Sequence, residues 1–153
     1  MEIIPLQNRG EMYKTCERLI NSAKNVVDMS WGQKAEIGRF KTQKNDYQKA
    51  KDNFIKSKDI HSKYESFSYR EIISSELSKE TEAQGFNTGN TKVFKNDFSL
   101  LLIEFMIFDQ KSIILSRAYE DGENMNDPRY YLIHDEKIAS MFYGFFEDVW
   151  TKM

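Results

Sequence analysis

Phe98 to Tyr119 read FSLLLIEFMIFDQKSIILSRAY, and two apolar runs in this stretch, Leu100 to Phe108 and Ile113 to Leu115, flank a polar Asp109-Gln110-Lys111-Ser112 turn. Runs rich in Ile and Phe, without a helical stripe and broken by turn residues, predict a β-hairpin inside a buried sheet. One acid, Glu104, interrupts the first run. A carboxylate buried without a partner costs several kcal/mol or is forced to keep its proton, so Glu104 belongs either at a strand end reaching water or in a site.

Outward from the hairpin, Asp121-Gly122-Glu123-Asn124 predicts a turn and Tyr130 to Ile133 a last strand. A closing helix follows from Asp135 to Trp150, with acids in its first turn and a stripe of Ile138, Met141, Phe142, Phe145, Phe146 and Val149. Before the hairpin, Glu2 to Leu6 reads as a short strand. Glu11 to Ala23 reads as a helix with Met12, Cys16, Leu19, Ile20 and Ala23 on one side. Asn25 to Trp31 is a strand stopped by Gly32. Residues 33–63 are polar and lysine-rich, with Tyr47, Ala50, Phe54 and Ile55 marking a helix. Phe67 to Ser74 is a strand, Glu76 to Gln84 a helix ended by Gly85, and Thr91 to Phe94 a short strand after Asn87-Thr88-Gly89-Asn90. Helices and strands alternate first, and short strands then gather before one final helix. The expected fold is an α/β sandwich with a mixed β-sheet flanked by helices.

The 153 residues are expected to form a single domain, long enough to bury roughly two-thirds of the unfolded surface. A net charge of −2 excludes whole-surface attraction to nucleic acid or anionic membrane. The charge is uneven, however: Lys34 to Lys63 holds nine Lys/Arg against four Asp/Glu. Such a segment reads as a solvated helix surface or as a local basic face. One cysteine, Cys16, excludes an intrachain disulfide and a cysteine-based zinc cluster, and its apolar neighbours mark it as a buried thiol rather than a nucleophile. MEIIPLQNRGEMYK lacks a basic n-region and a long apolar core, and no window reaches about twenty apolar residues, so a cytoplasmic chain is expected. His61 and His134 make no visible nucleophile–base pair; His134-Asp135-Glu136 reads as helix capping in preference to metal ligation.

The helix ending in Ala23-Lys24, the strand Asn25 to Trp31 and the following Gly32 resemble the opening of a phospholipase D-like half-domain. Tyr69-Arg70-Glu71-Ile72, Glu104-Phe105-Met106-Ile107-Phe108-Asp109 and Phe145-Phe146-Glu147-Asp148-Val149-Trp150 resemble sensor-type members of that superfamily, some of them fused to winged-helix regulators. The likeness covers roughly residues 10–152 and implies a phospholipase D-like sandwich in which 33–63 is an insertion. The family signature is His-x-Lys-x4-Asp followed six residues later by Gly-Ser-x-Asn. With Asp109 as anchor, the histidine position is Leu102 and the lysine position Glu104. The Gly-Ser-x-Asn positions are Ser116, Arg117, Ala118 and Tyr119, so only the aspartate is kept.

Leucine has no nucleophilic atom, and a glutamate where the lysine would stand reverses the charge offered to phosphoryl oxygens. The resemblance therefore implies a non-catalytic domain, without cofactor or metal, that senses a ligand or binds a protein partner through the relict pocket at the carboxyl ends of the central strands. Its expected residues are Trp31, as stacking wall or core closure, together with Arg70, Glu71, Glu104 and Arg117. Arg70 is expected to pair with Glu104, as a structural ion pair or one that opens for a small polar ligand. A homodimer with Glu104 and Arg117 near its two-fold is expected, the alternative being a monomer covered by residues 34–63. The competing function is contact with nucleic acid or phospholipid through the basic 34–63 segment.

Overall fold

A computed structural model describes residues 1–30, 44–64, 66–74, 90–94, 103–117 and 129–153. In chain order the elements are β1 (Glu2–Leu6), α1 (Arg9–Ile20), β2 (Asn25–Ser30), α2 (Lys44–Ser62), β3 (Ser68–Ser74), β4 (Thr91–Phe94), β5 (Ile103–Phe108), β6 (Ser112–Arg117), β7 (Tyr130–His134) and α3 (Glu136–Lys152). The strands form one mixed sheet in the order β1-β7-β6-β5-β2-β3-β4. The expected α/β sandwich with a flanked mixed sheet is thus the fold observed. The expected helix over Glu76 to Gln84, the turns around 87–89 and 121–124, and Trp31 and Leu102 lie outside the described residues.

The decisive hairpin is there. β5 and β6 pair antiparallel from Ile103↔Arg117 to Phe108↔Ser112. Asp109 and Gln110 take φ of 53° and 54°, and the Lys111 N–H donates to the Phe108 carbonyl at 3.1 Å. Two consecutive left-handed residues match the right-handed twist of the strands they join. β5 runs between β2 and β6 at the centre of the sheet, so the hairpin's edges are covered by its own chain.

β2, β3 and β4 are parallel neighbours, and β2 is antiparallel to β5. Parallel neighbours need a long crossover. The lysine-rich segment expected as an insertion supplies it: α2 lies between β2 and β3 in the chain and buries Phe54 in the core. α1 and α2 share one face of the sheet with Cys16, Ile20, Val26, Tyr69, Met106, Phe108, Ile114 and Leu132. α3 covers the other face, burying Ala139 and Phe146 against Val27, Met29, Ile72, Phe105, Ile107, Ile113 and Ile133. Period-two alternation along each strand divides the residues between the two cores.

Two helix starts are capped by side chains, and α1 begins at Arg9, two residues before the expected Glu11. Asn8 accepts from the Glu11 N–H at 2.9 Å, while Glu11 accepts from the Gln7 N–H at 2.6 Å. Asp135 accepts from the Ile138 N–H at 2.9 Å, which is the capping role expected for this tripeptide. No helix among the described residues is long and apolar enough to cross a membrane.

Candidate functional site

β2 reads NVVDMS, and alternation places Val26 and Asp28 on the α1–α2 face. On β3 the same face takes Tyr69 and Glu71, and the register sets Asp28 directly beside Glu71. Two carboxyl groups therefore sit side by side on adjacent parallel strands, at the middle of β3 and just past the middle of β2. Asp28 is 9% exposed. Its Oδ1 accepts from the Ser30 hydroxyl at 2.9 Å and its Oδ2 from the Tyr69 hydroxyl at 3.1 Å. Glu71 accepts from the Thr91 hydroxyl at 2.7 Å through Oε1, and its Oε2 lies 3.7 Å from Lys58 Nζ. Lys58 comes from α2, is 6% exposed, and also stands 4.7 Å from the Tyr69 ring centroid.

The electrostatics follow from this seating. Burial pushes the Asp28 carboxyl up to about 7, and the nearby Glu71 adds to the rise. Lys58 and the Ser30 and Tyr69 hydrogen bonds oppose it. Burial likewise pushes the Tyr69 hydroxyl and the Cys16 thiol well above their ordinary values, with Asp28 adding to both. A proton held on Asp28 near neutrality lets two adjacent acids share the company of one lysine. Ser30, Glu71, Thr91 and Glu104 are half-buried on this face, beside the buried Asp28, Tyr69 and Lys58. The arrangement can donate and accept hydrogen bonds, and it can exchange one proton near neutral pH.

The expected ion pair of Arg70 with Glu104 does not form. Arg70 lies on the α3 face, where its guanidinium donates to Glu147 and, at 3.0 Å, to the Tyr143 hydroxyl. The rings of Phe146 and Trp150 each lie 5.4 Å away. Glu104 shares the parity of Met106 and Phe108, whose side chains enter the opposite core. β2 also separates β3 from β5. The hydrogen bond to Glu147 raises the Arg70 affinity for its proton, and the same bond holds Glu147 below its ordinary value. Of the expected site residues, Glu71 and Glu104 therefore share one face. Arg70 and Arg117 are placed by alternation on the other, and Trp31 lies outside the described residues. The backbone of Arg117 pairs with that of Arg129, and its carbonyl also accepts from the buried Arg129 guanidinium at 3.0 Å.

Sequence reasoning missed Asp28, Lys58 and Tyr69. The signal was present: Asp28 is a lone acid in an apolar strand, the argument applied to Glu104. The retained aspartate, Asp109, has a structural task. Its Oδ1 accepts from the N–H groups of Lys24 and Asn25 at 2.9 and 2.8 Å, tying the hairpin turn to the start of β2. His61 Nδ1 is hydrogen-bonded to the Ser57 carbonyl oxygen and His134 Nδ1 to the Ser112 hydroxyl, so neither joins the Asp28 cluster. Among the described residues no group of three or more His, Cys, Asp or Glu is arranged to hold a metal ion.

No protein-family model matches this chain, and no curated protein matches it. Solved structures do. A phospholipase D family member, Nuc from Salmonella typhimurium, superposes with a TM-score of 0.60 at 16% identity, over 98% of this chain and 94% of that one. TrmBL2, an archaeal chromatin protein whose structure shows a novel mode of DNA binding, superposes with a TM-score of 0.59 at 13% identity. That match covers 99% of this chain and 52% of the other, so the chain spans about half the length of that protein. At such identities the likeness speaks for architecture alone: the chain has a phospholipase D-like α/β fold.

Proposed function

We propose that this chain is a non-catalytic, phospholipase D-like ligand-sensing or interaction domain, whose ligand sits on the α1–α2 face of β2, β3 and β4, toward the carboxyl end of β2. The observation that carries the reading is the cluster of Asp28, Ser30, Lys58, Tyr69, Glu71 and Thr91 on that face. Its polar atoms are hydroxyls, carboxyls and one lysine already facing a carboxylate. Such a lining suits a small neutral or cationic polar ligand and disfavours a polyanion. Glu104, at the start of β5 on the same face, adds a carboxylate where the family signature has lysine. Trp31, next after β2, is the proposed ring beside the ligand. Arg70 is assigned a structural role, holding α3 to the sheet.

Hydrolysis of bis-p-nitrophenyl phosphate tests the non-catalytic half, and no turnover above buffer is expected. Metal-independent turnover lost on mutating a hairpin residue overturns it. Calorimetric titration with neutral saccharides and polyols tests the sensing half. A heat signal abolished by Ser30→Ala or Glu71→Gln supports this location, and one that survives both substitutions removes it.

A second reading, contact with nucleic acid, has its own observation. Exposed Lys49, Lys56 and Lys63 recur at seven-residue spacing along α2 and just past its end. The likeness to a chromatin protein is compatible with it. Asp52 and Asp59 interleave with that stripe, and Lys58 is buried, which weakens the basic face. Duplex DNA binding that weakens by a factor of ten or more between roughly 50 and 200 mM salt favours this reading, and undetectable binding at the lower salt excludes it.

A further inference from the structure

Lys58 is buried on the inner face of α2, one turn beyond the core residue Phe54. Its head lies 4.7 Å from the centroid of the Tyr69 ring and 3.7 Å from Glu71 Oε2. Asp28 stands beside Glu71 by register and accepts from the Tyr69 hydroxyl at 3.1 Å. Two carboxyl groups and an aromatic face around one cation make a socket for an ammonium group, built by the sheet and filled by the helix. The fit is loose at one point. At 3.7 Å the contact with Glu71 is an ion pair beyond hydrogen-bond range, whereas the other oxygen of Glu71 accepts from Thr91 at 2.7 Å.

We infer that this socket recognises the primary ammonium group of a small ligand, and that Lys58 is its internal competitor, turned out of the seat when the ligand binds. The inference rests on the reading of this face as a ligand site and names the class of ligand. Charge balance argues for exchange. Emptying the socket leaves Asp28 and Glu71 together without their cation, which is strongly unfavourable for groups so little exposed. One ammonium group replacing another keeps the balance, and a neutral ligand cannot make that replacement. Lys58 is suited to leaving: its charge is a compact head on a flexible four-carbon stem. The stem can carry the head to water by rotating its own bonds while Phe54 keeps α2 seated on the core. The gain beyond the exchange comes from the ligand's remaining polar atoms. Half-buried Ser30, Thr91 and Glu104 lie on the same face to receive them.

Titration of the full chain with n-butylammonium, which reproduces the stem and head of a lysine side chain, tests the inference. Concentrations reach about 100 mM at ionic strength matched with sodium chloride, the range in which so small a fragment binds. A buried lysine head keeps a nitrogen–proton resonance that exchange with water erases from exposed ones. Lys58→Arg, which leaves a cation in the seat, identifies the Lys58 resonance by its loss. In the wild type that resonance is expected to fade as n-butylammonium is added and to survive n-butanol. Lys58→Met removes the competitor and is expected to bind n-butylammonium at least about tenfold more tightly than the wild type. Adding Glu71→Gln to it is expected to abolish the gain. A Lys58 resonance that persists through the titration overturns the inference, and this readout decides alone where Lys58→Met fails to fold. A folded Lys58→Met chain that binds no more tightly than the wild type also overturns it. A polyol that binds through Ser30 and Glu71, while n-butylammonium leaves the resonance in place, preserves the site and removes only this inference.

Discussion

Because the Asp28 carboxyl keeps its proton in the folded chain to about pH 7, against an ordinary value of 3.8, its protonation favours folding at low pH. Between those two values the unfolded chain releases the proton and the folded chain retains it. Stability is therefore lost as pH rises from about 4 to about 7, with a limiting slope of roughly 1.4 kcal/mol per unit, and is level above. Glu147 has the opposite sign: its depressed value contributes stability that is lost only as pH falls below the ordinary carboxylate range. The windows separate the two acids. Urea unfolding across pH 5 to 8 is expected to show the decline in the wild type and a flatter profile in Asp28→Asn; parallel profiles would remove Asp28 as its source. Asp109 gives a second expectation at this scale. Asp109→Ala loses the acceptor of two backbone N–H groups and places a methyl side chain at φ 53°, costing about 1–3 kcal/mol. Asp109→Asn keeps an acceptor and tolerates the left-handed backbone, so its urea midpoint is expected to fall much less.

Between elements, Arg70 fastens α3 to β3 through Glu147, Tyr143 and two aromatic rings. A double-mutant cycle of Arg70→Ala with Glu147→Ala is expected to give a coupling of at least about 0.5 kcal/mol. Arg70→Ala with Glu104→Ala is expected to be additive to within about 0.5 kcal/mol. Both substituted groups are partly solvated, which keeps the first figure modest. The pairing of Arg70 with Glu104 was not legible because strand order and register are long-range facts. Alternation within YREI tells that Arg70 and Glu71 oppose each other, but not which of them shares a face with a residue on a strand two places away. Asp28 was legible and overlooked. Lys58 was counted with the exposed lysines because its spacing on α2 distinguishes it only once the sheet beneath is known. The hairpin, the cap at Asp135 and the strand limits were legible because apolar alternation, turn residues and capping side chains act within a few residues of each other.

For the molecule as a whole, the sheet order predicts where opening is hardest. β5 and β2 are central, covered on both faces and paired on both edges, whereas β1 and β4 end the described sheet. Amide exchange is expected to be slowest in Val26, Val27, Phe105 and Ile107 and fastest among the strands in β1 and β4; protection at β1 equal to that at β5 would contradict the order. The α/β architecture was readable at this scale because a lysine-rich segment long enough to cross over separates two β-prone runs, and a hairpin and one amphipathic helix close the chain. Which residues gather around Asp28 was not readable at this scale, since Asp28, Lys58, Tyr69 and Thr91 share no fixed spacing.

Cys16, the chain's one cysteine, is completely shielded, with its Sγ 3.6 Å from the Met12 sulfur. An alkylating reagent reaches that sulfur only when the α1–α2 side of the core opens, so the rate of modification serves as a clock for opening. A compound that binds only the closed form slows the clock by a factor of one plus its concentration over its dissociation constant. The native thiol thus turns the unmodified protein into its own screening device, able to register a ligand whose chemistry nobody has guessed in advance.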